Sequence, residues 1–249
     1  MRKLHPDQSI ESPEGASAGE LPGRRYSGLD SAQRAMERQR RLIAAGTDVF
    51  GTLGYAGAKI KTLCKSAGLS ERYFYESFES REHLLGRVFE HLYDLLTEQI
   101  ATALQAPGLD LLASARAGME AVVNFMLDDS RHARIILVEV VGVSPELEAK
   151  RHQFMSESAD KSLQMLLLLS GIDPVHGQEQ LTARLGPVEA VRIFECARLT
   201  AVSMVGGVNN MMLDALLSGT THDTERISDV AFQLIYNASQ GIRALAEKP

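Results

Sequence analysis

Residues 60–78, IKTLCKSAGLSERYFYESF, constrain the fold of this chain more than any other stretch. Apolar side chains recur at helical spacing between Ile60 and Ala67, which predicts a short amphipathic helix. Gly68 follows directly, and glycine readily takes the left-handed conformation that ends a helix. Ser70 is then a typical N-cap, expected to accept free N–H groups of a second helix. The pattern therefore predicts two helices joined by a tight turn.

The second of these helices is predicted to bury only two of its aromatic side chains. Phe74 and Phe78 are four residues apart and share one face, so the remaining side chains point outward. The outward set is Arg72, Tyr73, Tyr75, Glu76 and Ser77. An outer face with an arginine and two tyrosines favours the second helix of a helix-turn-helix, which lies in a DNA groove. Two ordinary core helices with a glycine turn are the alternative.

The flanking sequence strengthens the helix-turn-helix interpretation through a combination of motifs. The motifs are Ala45, Phe50, Gly54 and Tyr55 near the end of the first predicted helix, Ala67-Gly68-Leu69-Ser70 at the turn, Phe74-Tyr75-Glu76-Ser77-Phe78 in the third helix, and Arg81 with Leu84-Leu85 at the start of the fourth. Together they make residues 31–85 resemble the DNA-binding domain of TetR-family transcriptional repressors. No single motif would be specific.

The resemblance implies a set of DNA-contacting residues. Lys59 and Lys61 are expected to contact phosphates where family members often have a threonine. Arg72 occupies a position that is often small in the family, and its guanidinium fits O6 and N7 of guanine. The complete set expected to contact DNA is Lys59, Lys61, Ser70, Glu71, Arg72, Tyr73, Tyr75, Glu76, Ser77 and Arg81.

The charge distribution places a contact with a polyanion in the same part of the chain. Residues 24–81 contain 11 Lys and Arg against 6 Asp and Glu, whereas residues 82–249 contain 13 against 22. One basic segment in a chain of net charge −6 localises binding to that segment. For the arginines of the first predicted helix, a solvated helix face is an equally good interpretation. These arginines are Arg34, Arg38, Arg40 and Arg41.

The fold class is predicted to be all-α, with about nine helices, because helical patterns alternate with Gly and Pro breaks and no strand pattern occurs. Residues 1–29 are predicted to be a flexible tail, since they are rich in Pro, Gly, Ser and Glu. Residues 30–80 are predicted to form a three-helix helix-turn-helix domain, and residues 81–249 a larger helical ligand-binding and dimerisation domain. Within the larger domain we expect one helix over residues 130–141 and a loop over residues 172–186.

The last two predicted helices, residues 187–218 and 224–246, are rich in apolar and small side chains. In TetR-like proteins the corresponding helices form a dimer interface, and a two-fold dimer would double the contacts of one short recognition helix. A purely intramolecular core is the alternative. The residues expected at a homodimer interface are Val202, Val205, Val208, Met212, Val230, Leu234, Ile235 and Ala238.

The resemblance further implies a small-molecule effector bound between central helices of the larger domain. Ordinary core packing is the alternative at each candidate position, because Met and Phe at helical spacing are usually core residues. The candidates, chosen by residue type, are Met119, Phe125, His132, Phe154, Met155, Phe194, Arg198 and Met204.

Catalysis is not expected of this chain. Its seven histidines form no His-x-x-x-His pair or Cys/His cluster, and no phosphate-loop or dinucleotide motif occurs, so no metal, cofactor or catalytic residue is predicted. A disulfide between Cys64 and Cys196 is not expected, which fits a reducing compartment. The sequence shows neither a secretory signal nor a membrane span, so a cytoplasmic location is expected.

These patterns predict a ligand-responsive transcriptional regulator, in particular a repressor. It would bind a palindromic double-stranded DNA operator as a homodimer and be released by a small-molecule effector. The alternative is a helical protein-interaction module whose basic head binds an acidic protein partner.

Overall fold

A computed structural model describes residues 23–248 of the chain, with side chains from residue 30 onward. Within that range the chain forms ten α-helices and one π-helical segment and no strand, which confirms the all-α prediction. The helices are α1 Gly23–Gly57, α2 Ile60–Ala67, α3 Glu71–Ser77, α4 Arg81–Leu104, α5 Leu111–Leu127, α6 Ser130–Arg134, α7 Pro145–Leu169, α8 Gly177–Leu185, α9 Pro187–Ser218 and α10 Thr224–Ala246, with the π segment at Ile135–Glu139.

The chain divides into a unit ending at Glu37 and a unit beginning at Arg38. In the first unit, α1 already begins at Gly23 instead of the predicted Asp30, and Arg34 Nη2 lies 3.1 Å from the Asp30 carboxylate. Of the predicted flexible tail, residues 1–22 lie outside the described residues.

The second unit builds a continuous hydrophobic cluster from the helix-turn-helix segment into the helices that follow. Leu42, Phe50 and Phe74 are fully buried in it, and so is Val123 of α5. Burial of such side chains is the main stabilising contribution to the packing of the short helices α2 and α3. This cluster contains residues from both sides of the predicted domain boundary at residue 80. The division into two domains stays a prediction.

Two parts of the fold differ from the sequence prediction. The single helix expected over residues 130–141 is instead α6 followed by the π segment, in which the Val140 N–H donates to Ile135 O at 3.3 Å. The loop expected over residues 172–186 contains α8. Helix α8 forms because Leu181 is buried against the neighbouring helices, a tertiary contact that the local sequence does not reveal.

Long helices in this part of the chain are amphipathic rather than uniformly apolar. None of the helices among residues 23–248 combines the length and the hydropathy that crossing a membrane requires.

Candidate nucleic-acid interface

The turn between α2 and α3 has the predicted left-handed glycine. Gly68 has φ 61° and ψ 40°, and its N–H donates to Lys65 O at 3.2 Å. The N–H of Leu69 donates to Cys64 O at 2.9 Å, which completes a C-terminal capping motif. The prediction that Gly68 ends the first helix and turns the chain is therefore confirmed.

Arg41 of α1 secures this turn from outside. Its Nη2 donates to Ala67 O at 2.6 Å and to Gly68 O at 3.1 Å, so it satisfies carbonyl groups at the end of α2. A Cβ on residue 68 would lie 2.8 Å from the same nitrogen, which gives a second reason for glycine there. Arg41 was considered either as a solvated side chain or as a DNA contact, and in the structure its guanidinium is hydrogen-bonded to the turn.

Helix α3 separates its side chains into a buried and an exposed face. Phe74 is fully buried, and Phe78 is 3% exposed. On the opposite face the Arg72 side chain is 85% exposed, and Tyr75 is 59% exposed. The outward direction predicted for Arg72, Tyr73 and Tyr75 is therefore what the structure shows.

Two serines of the predicted set differ from expectation. Ser70 occupies the N-cap position of α3 in an extended conformation, but its side chain accepts no hydrogen bond from the helix. Its exposed hydroxyl is thus available to an outside partner. Ser77 Oγ donates to Tyr73 O at 3.0 Å, so its proton is already used within α3. Ser77 is therefore not a free phosphate donor in this conformation.

Arginine and glutamate side chains form a connected group on the exposed face of α3. Arg72 Nε donates to Glu76 Oε1 at 3.0 Å. Arg38 of α1 approaches the other oxygen of the same carboxylate at 3.8 Å and lies over the Tyr73 ring, 4.8 Å from its centroid. We call Arg38, Arg72, Tyr73 and Glu76 the α3 outer cluster. Sequence analysis did not place Arg38 in it, because the contact joins two helices.

Two lysines predicted to contact phosphates lie at the start of α2. Lys59 and Lys61 are exposed, and neither forms an ion pair with any side chain of the described range. Lys59 is the N-cap of α2, and Ala58 beside it is fully buried, so the lysine is attached to a rigid point of the core.

Residues 54–58, at the end of α1 and just before α2, form the α1–α2 corner. Gly54 interrupts the helix with φ 74° and ψ 165°, and the next N–H, of Tyr55, donates to Glu139 Oε2 at 2.7 Å. Arg81 Nη1 donates to Tyr55 O at 3.2 Å and to Ala58 O at 2.5 Å. Arg81 was predicted to contact DNA, but its guanidinium is bound to the corner, because these carbonyls lie within its reach.

Helix α6 and the π segment also hold the end of α1 before the corner. Arg134 Nε donates to Glu139 Oε1 at 2.9 Å, and its Nη1 donates to Thr52 O at 3.0 Å. Arg131 Nη1 lies 3.1 Å from Asp48 Oδ1. Sequence analysis missed Glu139 entirely. It lies 84 residues from Tyr55 along the chain, and no local motif marks such a contact.

Comparison with known proteins shows which family shares the helix-turn-helix segment. Residues 42–88, which include the turn, both its helices and the start of α4, match the family described as "Bacterial regulatory proteins, tetR family". This segment of the chain belongs to the TetR family of bacterial regulatory proteins. Members of this family are DNA-binding regulators and not enzymes.

Curated relatives of this chain include two regulators. The HTH-type transcriptional regulator CymR of Pseudomonas putida is 31% identical over 134 residues, and the HTH-type transcriptional activator FasR of Mycolicibacterium smegmatis is 26% identical over 137. The matches cover 51% and 55% of this chain, and they span 64% and 62% of the two relatives, less than two thirds of either.

Among solved structures, the fatty acid degradation regulator FadR of Bacillus halodurans has a similar fold. Its TM-score is 0.63 at 16% identity, over 80% of this chain and 94% of that one. At this identity the likeness extends to the fold alone.

An open cleft of about 780 Å³ lies between α4, α5 and α6. Two of the predicted effector-contacting residues, Phe125 and His132, line it. Their rings stack at 4.5 Å, and His132 Nδ1 lies 2.8 Å from Phe125 O, so this nitrogen carries the proton. The neighbouring Asp129 has its pKa lowered, chiefly by the hydrogen bond from Arg131.

The other predicted effector-contacting residues do not line this cleft. Met119 and Phe154 pack on the cluster that includes the helix-turn-helix, and Phe194 packs on a second cluster around α9. Buried Met204 belongs to that second cluster. The remaining two lie at or near the surface. Arg198 is exposed, and its Nη2 lies 3.6 Å from a carboxylate oxygen of Glu195. Met155 is half-buried, and its sulfur accepts a hydrogen bond from Arg151 Nη1 at 3.2 Å.

The predicted dimer residues divide between the interior and the surface of the single chain. Val208, Met212 and Ile235, which were expected at a homodimer interface, are buried within the single chain. They face inward because α9 and α10 pack on α5 and α7 as well as on each other. Val205 and Ala238 are half-buried. The exposed members are Val202, Val230 and Leu234, and Val191 and Leu199 are exposed on α9 as well.

Proposed function

We propose that this TetR-family chain is a ligand-responsive repressor that binds a palindromic DNA operator as a homodimer and releases it when an effector binds. The observation that carries the proposal is the division of α3. Phe74 fixes the helix in the core, while Arg72 and Tyr75 extend into solvent where a duplex is reached. A recognition helix requires this combination of a rigid base and free polar ends.

The proposed DNA contacts fall into two classes. Arg72 is assigned to base edges, with Tyr73 and Tyr75 beside it on the same exposed face. Lys59, Lys61 and the Ser70 hydroxyl are assigned to phosphates, because they are exposed at the amino ends of α2 and α3. Glu71 and Glu76 lie on the same surface. They carry the same negative charge as phosphates and would repel them, so they are not assigned to phosphates.

The homodimer is supported by the surface of α9 and α10. Val202, Val230 and Leu234 expose between 42% and 48% of their area, and they lie on two helices that pack against each other. A second copy related by a two-fold axis would cover them. It would also present two α3 helices, spaced about 34–36 Å apart for successive major grooves.

The effector is proposed to bind in the cleft between α4, α5 and α6. Two of the helices that line the cleft are connected to the α1–α2 corner. Helix α4 contacts it through Arg81, and α6 contacts it through Glu139 of the π segment that follows. A ligand that favours a different arrangement of these helices changes the affinity for DNA by its difference in affinity for the two states. A coupling of about 1–3 kcal/mol gives roughly 5–150-fold weaker DNA binding.

Selection from a pool of random duplexes by the purified chain tests the proposal. We expect enrichment of one palindromic motif, with half-sites about 10 base pairs apart centre to centre. If the chain instead is a protein-interaction module with a basic head, no sequence is enriched, although binding to any polyanion still weakens with salt. Recovery of the random pool would therefore contradict the proposed function.

A further inference from the structure

We propose that Glu76 does not read DNA but positions Arg72, and so determines how strongly the recognition helix prefers guanine. This inference rests on the proposed function, because it assumes that α3 enters the major groove. Glu76 was expected from the sequence to contact DNA directly. The structure assigns its carboxylate to two arginines of the same protein.

The contact leaves the reading end of Arg72 free. Arg72 uses Nε to bind Glu76 Oε1 at 3.0 Å, so Nη1 and Nη2 remain available as a pair of donors. Those two nitrogens match O6 and N7 of one guanine. A bond at Nε fixes the plane of the guanidinium and removes rotamer freedom from a side chain that is 85% exposed.

Glu76 is itself held from the other side. Arg38 Nη2 lies 3.8 Å from Glu76 Oε2, and the Arg38 side chain is only 24% exposed. The Tyr73 ring stacks under its guanidinium at 4.8 Å. The Nε of Arg38 is buried and has no hydrogen-bond acceptor among the described residues. Within the same range, Glu76 is the one carboxylate that lies within 4 Å of the Arg38 guanidinium and can balance its charge.

This arrangement differs from an ordinary surface ion pair. An isolated Arg–Glu pair at positions i and i+4 contributes little, because both side chains move freely in water. In the α3 outer cluster the carboxylate is shared between an exposed arginine and a half-buried one. The half-buried Arg38 is anchored to α1, so it fixes Glu76, and Glu76 fixes Arg72.

The inference predicts opposite changes in affinity and in selectivity. Glu76→Ala removes a negative charge from the DNA-facing surface, so binding to non-specific duplex should tighten by about 2- to 5-fold at low salt. The same change releases Arg72, so the preference for guanine at its position should fall by about 5-fold or more. Glu76→Gln keeps an acceptor for Nε without the charge, and should tighten non-specific binding while keeping most of the preference.

Glu71 provides the matched control. It is an exposed carboxylate in the first turn of the same helix, and it forms no ion pair with any described residue. Glu71→Ala should therefore tighten non-specific binding as Glu76→Ala does, but leave the guanine preference unchanged. Circular dichroism is expected to show unaltered helix content for both variants, since both side chains are exposed.

The experiment measures equilibrium binding of the full chain to the selected operator, to operators with the guanine replaced by each other base, and to random duplex. Arg72→Lys, alone and combined with Glu76→Ala, provides a second test. Lysine has no guanidinium for Glu76 to orient, so adding Glu76→Ala should cause no further loss of base preference.

Four outcomes are informative. A normal guanine preference in Glu76→Ala overturns the inference, and so does an equal loss in Glu71→Ala, because charge alone would then be the cause. A wild-type chain that selects no sequence overturns the proposed function, and this inference with it. A loss confined to Glu76→Ala and Arg72 variants, with Glu76→Gln largely rescued, supports the positioning role.

Discussion

At the residue scale, the charged side chains of this protein have separate tasks that their residue types do not reveal. Arg41 and Arg81 donate to backbone carbonyls, Arg38 holds a carboxylate, and Arg72 extends into solvent. Lys59 is exposed and unpaired within the described residues. Exposed and unpaired side chains such as Lys59 are free to exchange water and counterions for DNA phosphates.

Lys59→Ala is expected to weaken binding equally for every duplex sequence. Removing one phosphate contact should lower the slope of log K against log salt by about one unit. Binding titrations at several salt concentrations would measure it, with Lys161→Ala, an exposed lysine of α7, as the control. A change in base preference without a change in slope would contradict the phosphate assignment.

Asp129 is expected to contribute to the loss of stability in acid. The Arg131 hydrogen bond lowers the pKa of Asp129 below its ordinary value of 3.8. A carboxyl with a lowered folded-state pKa stabilises the protein above its unfolded pKa, and this contribution disappears as the pH falls through the folded pKa. Asp129→Asn should therefore reduce the difference in free energy of unfolding between pH 5 and pH 2.5, by at most about 1 kcal/mol.

Urea unfolding of the wild type and Asp129→Asn at both pH values measures this difference. Asparagine can still cap α6, so the comparison isolates the charge. Identical pH dependence in the two proteins would show that Asp129 does not contribute.

At the element scale, the α1–α2 corner decides where the helix-turn-helix sits on the rest of the second unit. Gly54 takes a backbone conformation close to one that only glycine adopts readily. Its missing side chain also lets the Glu139 carboxylate approach, since a Cβ there would lie 3.0 Å from both carboxylate oxygens. The break and the long-range contact therefore depend on the same residue.

Gly54→Ala is expected to lower the free energy of unfolding by about 1–3 kcal/mol, through backbone strain and displacement of Glu139. Gly57→Ala, at the end of the same helix, is the control, because its added Cβ meets only Leu53 at 3.4 Å. That change should be neutral or slightly stabilising. Chemical denaturation of both variants measures the effect, and equal stabilities would contradict the strain at Gly54.

At the scale of the whole molecule, α9 and α10 face two environments. Met212 and Ile235 fill the interior, while Val202 and Leu234 remain exposed in the single chain. The added Cβ of Gly206 would meet no atom within 4 Å, so α9 has open space along part of its length. Such a surface is expected to be covered by a second copy in solution.

Leu234→Glu is expected to convert the proposed dimer to monomer and leave the helix content unchanged, because the side chain lies outside the protomer core. Sedimentation equilibrium at micromolar concentration would measure it. Gln233→Glu adds the same charge at the exposed neighbouring position and should preserve the dimer. A wild-type monomer at this concentration would contradict the proposed homodimer.

The sequence alone determined the helix-turn-helix, because its signals are local. Helical spacing, the glycine at residue 68 and the four-residue separation of Phe74 and Phe78 each act within one or two turns. The all-α fold class followed in the same way from repeated helical patterns. The family resemblance required no tertiary information either, since its motifs lie within one segment of the chain.

Only the tertiary structure decided which side chains remain free. Arg81, Glu139 and Val208 acquired their roles through contacts with parts of the chain that lie far away in sequence. Helix α8 likewise depends on packing against its neighbours. The physical reason is that a helical pattern shows which face is apolar, whereas the partner of that face, and the acceptor of each arginine, are set by how the helices assemble.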